Sequence, residues 1–445
     1  MSTERYVVLG LAPVRSPWFH EVARWATSGA LPVEFVKCVS AAELRSRVGS
    51  GRPFSAALLD VRLPAVDRDL LAILAASGIA ALAVGDDGRD WSSLGAAARL
   101  PADHGAQDLL SALADHARPV ARLDDPTGSV VPGTDDPSGP AAWRGRLVTV
   151  MGRSGAGTST VAAALAQHLA DDPRHAADVL LVDLARHAHQ GLLHDAGDLV
   201  PGLQELVEAH RSGHLAPGEV YALTFEVVDR GYRLVLGLRR PRDWVAIRAR
   251  AFAAALDSLT RAARVVVADA DEDLEGEDDT GSFDIEDRNL LARTAASEAD
   301  LVVIVASPTT TGLHDLVGSV AALRRHGVAP ERVLAVLNRA PRRTRARAEL
   351  TRAVAELVGL GGEVPPHLGP AFVPSVRGLD HVHRDVARLP SPIAGGAGRA
   401  VAAALDRLDL RRLDRNEPTA DPHGATPIAP GSLAAWTEPE EGVGR

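Results

Sequence analysis

The segment LVTVMGRSGAGTSTVAAALAQHLA sets three glycines, Gly152, Gly155 and Gly157, between an apolar run and a helical pattern. Glycines at this spacing let backbone N–H groups turn inward around an anion. A helix starting at about Ser159 aims its positive N-terminal end at the same charge, which is chemistry for holding phosphate. The phosphate-loop pattern G-x-x-x-x-G-K-[ST] is met by Gly152, by Gly157 and by Ser159 at the Mg²⁺-ligating place, but Thr158 stands where the pattern has lysine. Of 48 basic residues Lys37 is the single lysine and the other 47 are arginine, so no lysine near the loop replaces the missing one. A genome that favours arginine codons accounts for the bias as a whole, not for the loss of charge at one chemically demanding position.

The loop needs a sheet to carry it. The runs RLVTVMG (146–152), VLLVDL (179–184), RLVLGL (233–238), RVVVADA (264–270), LVVIVAS (301–307) and RVLAVLN (332–338) show almost no polar alternation, which suits parallel strands buried on both faces. Ligands of such sheets bind at the carboxyl ends of the strands, where the loop, Asp183 and Asp269 fall. Ahead of them YVVLGL, VEFVKCV, AALLDV and AALAV alternate with helical patterns, which predicts a smaller doubly wound α/β domain. The expected division is a domain over 1–118, a Pro/Gly/Asp/Ser-rich flexible linker over 119–143, a second domain over 144–412 and a disordered tail over 413–445. The acidic run 269–288, DADEDLEGEDDTGSFDIEDR, reads as an exposed loop or insertion.

Composition narrows the function classes. A chain of 445 residues with 46% hydrophobic content buries at least two cores. The one cysteine, Cys38, excludes an intramolecular disulfide and any multi-cysteine metal site. The start MSTERYVVLGLAP lacks a signal-peptide plan, and no apolar run reaches the roughly 18–20 residues of a membrane span, so a cytoplasmic location with peripheral or partner-mediated membrane contact is expected. A net charge of -10 argues against broad electrostatic capture of DNA, and no sequence-specific nucleic acid partner is expected. The histidines of RHAHQGLLHD and of H-x-H at 381–383 lack ligand spacing and read as solvent-facing or switch-loop groups rather than metal ligands. The arginines of 339–352 read as a solvated helix face before a nucleic-acid patch, and RAVAAALDRLDLRRL (399–413) as a helix packed on the sheet before a membrane-surface helix.

GRSGAGTSTVAAALAQHLA resembles the deviant phosphate loop of the MinD/ParA family, usually KGGxGKTT. VLLVDL resembles that family's strand into the first switch, RVVVADA its Walker B strand ending in Asp269, and VLAVLNRA its base-reading strand. The resemblance covers roughly residues 145–410. It implies a P-loop doubly wound parallel sheet binding ATP with Mg²⁺. The nucleotide would be held by Gly152, Arg153, Ser154, Gly155, Ala156, Gly157, Thr158, Ser159, Thr160, Asn338 and Arg339, and Mg²⁺ by Ser159 and Asp269. Two departures bear on mechanism. The signature lysine that reaches across a dimer falls on Arg153, which keeps the charge and binds phosphate with a different, bidentate geometry. The lysine that bridges the outer phosphates falls on Thr158, and the usual D-x-D of the first switch reads Asp183-Leu184-Ala185. Phosphoryl transfer needs its developing charge neutralised and its water oriented, so weak or absent hydrolysis is expected, with no confident catalytic residue beyond Asp183 and Asp269 as switch and Walker B candidates.

AALLDVRLPAVDRDL (56–70) resembles the third strand and following loop of response-regulator receivers, with Asp60 at the phosphoacceptor place. The first strand ends Leu9-Gly10-Leu11-Ala12 without the acids that hold Mg²⁺, and the expected lysine is missing, so Asp60 reads as a vestige in a degenerate, flavodoxin-like receiver used for protein contacts. A degenerate receiver joined to a deviant MinD-like domain is the arrangement of the CpaE/TadZ group. This implies a localisation factor for a Flp/Tad-type pilus or secretion machine, or for septum-site placement, recruited to a pole, septum or inner membrane face. Its implied partners are pilus, secretion or division proteins and a second copy of itself. A slow ATPase cycling between monomer and ATP-bound dimer is the alternative, and a ParA-type DNA partitioning factor a third reading.

Overall fold

The computed structural model describes residues 6–13, 15–50, 52–120, 143–175, 178–359 and 369–414. Most of the expected linker and tail therefore lies outside the described residues, while the last helix, Ser391–Asp414, runs two residues past the expected domain end.

Five strands near the start, β1 (Tyr6–Leu11), β2 (Val33–Cys38), β3 (Ala56–Asp60), β4 (Ala80–Val84) and β5 (Ala98–Leu100), form a parallel sheet in the order β2-β1-β3-β4-β5. Helices Pro17–Ser28 and Ala106–His116 cover one face around Trp18, Phe19, Leu109 and Leu113. Helices Ala41–Gly49 and Arg68–Ala76 cover the other around Leu44, Leu70, Leu71 and Leu74. Apolar side chains on both faces explain why these strands read as unbroken apolar runs.

The second sheet contains β6 (Arg146–Met151), β7 (Val179–Asp183), β8 (Phe225–Val227), β9 (Tyr232–Val235), β10 (Val265–Asp269), β11 (Leu301–Ala306), β12 (Val333–Ala340) and β13 (Ala371–Pro374). Their order is β13-β12-β11-β6-β10-β7-β9-β8, parallel except for β8, which runs antiparallel to β9 at one edge. The two edge strands escape sequence reading because FEV and AFVP are too short to show a period. Strand β6 sits between β10 and β11, so the chain winds outward in both directions from it and a crevice opens at its carboxyl end. Helix Thr158–Ala170 leaves that crevice and packs with Ser391–Asp414 on one face, where Val161, Leu165, Val401 and Leu405 are buried. The stretch 399–413 thus lies on the sheet, and no described helix is long and apolar enough to cross a membrane.

The acidic run corrects an expectation. Asp269, Ala270 and Leu274 are buried, and Phe283 onward forms the first turns of a helix ending at Glu298, so the run belongs partly to the core and partly to a regular element. Asp284 and Glu286 in the first turn of that helix favour its positive end, which is why an acidic segment folds into it.

The two sheets meet through helix Arg68–Ala76, which contacts helices Leu203–Ser212 and Ala249–Ala262. Asp67 caps its own helix through Leu70 N–H at 2.9 Å and accepts from Arg211 Nη2 at 3.1 Å. Arg68 donates to the carbonyls of His210 and Gly213 at 3.1 and 3.3 Å, and Arg250 N–H donates to Asp69 at 3.1 Å. A contact of this polar kind weakens when one charge is inverted. Arg211→Glu places a second carboxylate against Asp67 and is expected to speed amide hydrogen exchange about ten-fold or more in 67–76 and 203–213, with the strands unchanged; unchanged exchange in both helices would show that the pair holds nothing.

Candidate functional site

The phosphate-like loop starts where β6 ends. A side chain at Gly152 would meet Val305 O at 2.3 Å and Thr158 Oγ1 at 2.8 Å, so only glycine fits beneath the loop. Gly157 has φ +90° and lies against Asn338 Nδ2, again excluding a Cβ. Asn338 Nδ2 donates to Ala156 O at 2.8 Å and its Oδ1 accepts from Arg339 N–H at 2.9 Å, while Arg339 Nη1 donates to Gly155 O at 3.1 Å. The end of β12 therefore clamps the loop. Among the described residues no backbone carbonyl accepts from the N–H groups of Thr158, Ser159 or Thr160, the first turn of a 13-residue helix.

These groups open on a cleft of about 860 Å³. Gly152, Arg153, Ser154, Gly155, Gly157, Thr158, Ser159, Thr160, Asp269 and Arg339 all line it, whereas Ala156, Asn338 and Asp183 lie behind as supports. Asp183 and Asp269 stand opposite each other in the β7/β10 register and are both buried. Burial, then the charge of Asp269, pushes the Asp183 carboxyl well above its ordinary value. Burial pushes Asp269 up to about 6, against the pull of hydrogen bonds from Ser159 and Gln190. A hydroxyl and a carboxylate side by side are hard oxygen donors, and the Ser159–Asp269 pair fits Mg²⁺ by type.

Gln190 is the residue that sequence reasoning missed. Fully buried, it donates through Nε2 to Asp269 Oδ2 at 2.8 Å and Ser159 O at 3.0 Å, while its N–H donates to Asp183 Oδ2 at 2.8 Å. One side chain thus ties the loop helix, the β7 end and the β10 end together. Nothing in its type or spacing signals this. His194 backs it: burial and the Arg230 charge hold its pKa down to about 4, so the ring is neutral at pH 7, and its Nδ1 donates to Gln190 O at 2.7 Å. His194 and His383 are buried rather than solvent-facing, contrary to expectation. Among the described residues no group of three His, Cys, Asp or Glu is placed to hold a metal ion.

The cations at the cleft sit at its rim. Arg186 is paired with Asp271 at 2.8 Å. Arg153 is 64% exposed and only 3.8 Å from Glu272 and 3.7 Å from Asp315. At the lysine place Thr158 Oγ1 is buried with no hydrogen-bond partner. The cleft thus presents backbone N–H groups and a helix end beside the buried Thr158 hydroxyl, with Ala185 on its wall.

In the first sheet Asp60 is buried at the end of β3. Its Oδ2 accepts from Arg62 Nη2 at 2.7 Å, Ser16 Oγ at 2.9 Å and Trp18 Nε1 at 3.0 Å, and its Oδ1 from Arg62 N and Nε at 3.1 and 2.9 Å. Burial opposes the charge, yet the donors more than offset it and hold the carboxyl below its ordinary value.

No family model and no curated protein matches the chain. Solved structures do. The chain is similar in structure to MinD/ParA ATPases. A ParA family ATPase from Chlorobium tepidum TLS is 14% identical, over 61% of this chain and 98% of that one, with TM-score 0.43. The cell division ATPase MinD of Pyrococcus furiosus is 19% identical, over 59% and 99%, with TM-score 0.43. The septum site-determining protein MinD complexed with Mg-ADP, from Pyrococcus horikoshii OT3, is 17% identical, over 61% and 99%, with TM-score 0.42.

The raised carboxyl at Asp269 sets a pH dependence. Asp183 and Asp269 are raised together by their burial, so the stability tied to the protonated pair is fully present below the ordinary carboxylate range and is lost as pH rises through the raised values. Asp269→Asn is expected to raise the melting temperature by a few degrees at pH 7 without Mg²⁺ and to flatten its fall between pH 4 and 6. An unchanged slope would show that Asp269 is not the strained group.

Proposed function

We propose that this chain is a CpaE/TadZ-like placement factor, a scaffold that marks where a Flp/Tad-type pilus or secretion machine, or a division septum, is assembled. The observation that carries this reading is the contrast within one cleft. The anion-holding parts are intact, while the buried hydroxyl of Thr158 replaces the bridging lysine and Ala185 replaces the water-orienting carboxylate. Charge neutralisation and nucleophile orientation supply most of the rate in phosphoryl transfer, so their joint loss removes several orders of magnitude. A nucleotide bound here with Mg²⁺ serves as a structural ligand that favours one conformation, not as fuel.

The Asp60 cluster supports the same reading for the first sheet. Its strand order is that of doubly wound flavodoxin-like folds, and we read it as a degenerate receiver whose acid is used up by Arg62, Ser16 and Trp18. Such a unit offers surfaces rather than a phosphorylation switch. Homodimerisation, pilus or division partners and recruitment to a pole, septum or inner membrane face belong to this proposal.

The slow-ATPase alternative has one observation in its favour: the Arg153 guanidinium is exposed at the rim with only long ion pairs, free to reach a second copy. Turnover separates the two. Purified wild type is expected to release phosphate no faster than Ser159→Ala, while a fluorescent fusion of either still forms foci in cells; rapid wild-type turnover abolished by Ser159→Ala would sink the scaffold reading.

A further inference from the structure

We propose that the cleft at the end of β6 is a nucleoside diphosphate site that discriminates against the triphosphate. The proposal rests on reading the cleft as a nucleotide site and specifies which phosphate chain it takes.

A glycine-rich loop holds the first two phosphates of a nucleotide by backbone N–H groups, and its lysine bridges the second and third, so the third depends on that lysine while the second keeps the backbone donors without it. Here the first set is complete. Gly155 and Gly157 have φ of +86° and +90°, the N–H groups of Thr158, Ser159 and Thr160 are unclaimed by backbone carbonyls, and the loop is clamped in shape by Asn338 and Arg339. The lysine is absent. Thr158 is short and neutral, with its Oγ1 buried beside Gly152.

The walls of the cleft decide the sign of what remains. Asp269, Asp271, Glu272 and Asp273 all line it. Of the arginines that line it, Arg186 is tied to Asp271, Arg339 donates to Gly155 O, and Arg153 lies at the rim between Glu272 and Asp315. A third phosphate adds negative charge to a part of the cleft where carboxylates have no lysine opposite them. Mg²⁺ on Ser159 and Asp269 offsets part of that charge, but it does so for a diphosphate as well, so it does not restore a preference for the longer chain. Backbone donors are indifferent to chain length. The discrimination therefore comes from the acid wall and the missing cation together.

The test is calorimetric titration of the full chain with ADP and ATP in the presence of Mg²⁺, alongside thermal protection by pyrophosphate and tripolyphosphate, which carry the same charges without a base. ADP is expected to bind at least ten-fold more tightly than ATP, and pyrophosphate to protect better than tripolyphosphate. Thr158→Lys is expected to raise ATP affinity more than ADP affinity. Glu272→Gln, which thins the acid wall and releases Arg153 from one of its two long ion pairs while leaving the loop backbone unaltered, is expected to narrow the ratio even where the lysine does not seat. ATP binding as tightly as ADP in the wild type would overturn the proposal and leave the nucleotide site standing. Binding of neither nucleotide would overturn both.

Discussion

Two carboxyl groups, Asp183 and Asp269, lie side by side at the buried ends of neighbouring parallel strands, and the surroundings of the cleft are arranged to tolerate them. Parallel strands in register cannot avoid bringing their last residues together. Placing two like charges there without water raises both proton affinities. The structure answers with donors: Gln190 supplies a side-chain amide to one acid and its backbone N–H to the other, and Ala185 N–H donates to Asp183 as well. The position of the segment after β7 follows from those bonds. A metal ion between Ser159 and Asp269 would relieve the same strain.

A similar solution appears in the first sheet. Asp60 ends a buried strand and is neutralised from within by Arg62, with Trp18 and Ser16 filling its remaining acceptor sites. Asp271 is likewise met by Arg186, and Asp67 by Arg211. These acids, at or just beyond the ends of their strands, are engaged by the protein's own arginines. This pairing explains how a chain with 58 acidic and 48 basic residues assembles acid-lined clefts without flying apart locally.

The helix Leu203–Ser212 connects the two halves of this picture. Leu203 N–H donates to Leu236 O at 2.7 Å, and Gly237, next along the chain, packs against Asp183. At its other end Arg211 holds Asp67 of the first sheet. The strand-end acids of one sheet are thus linked by contiguous packing to the surface of the other.

Much of the fold was legible because its signals are local. Apolar runs mark the central strands, and the glycine spacing marks the loop. The absence of lysine at Thr158 and of a carboxylate at Ala185 are covalent facts that no tertiary contact can repair. Edge strands of three or four residues and the helical end of the acidic run were not legible, since short segments show no period and charge pattern does not reveal a helix cap. What only the tertiary structure decided is where polar side chains find their partners. Gln190 meets Asp269 across 79 residues of chain, Ser16 meets Asp60 across 44, and Asn338 meets Ala156 across 182. Sequence determines which donors and acceptors exist. The packing of strands determines which of them are buried together and must therefore bond.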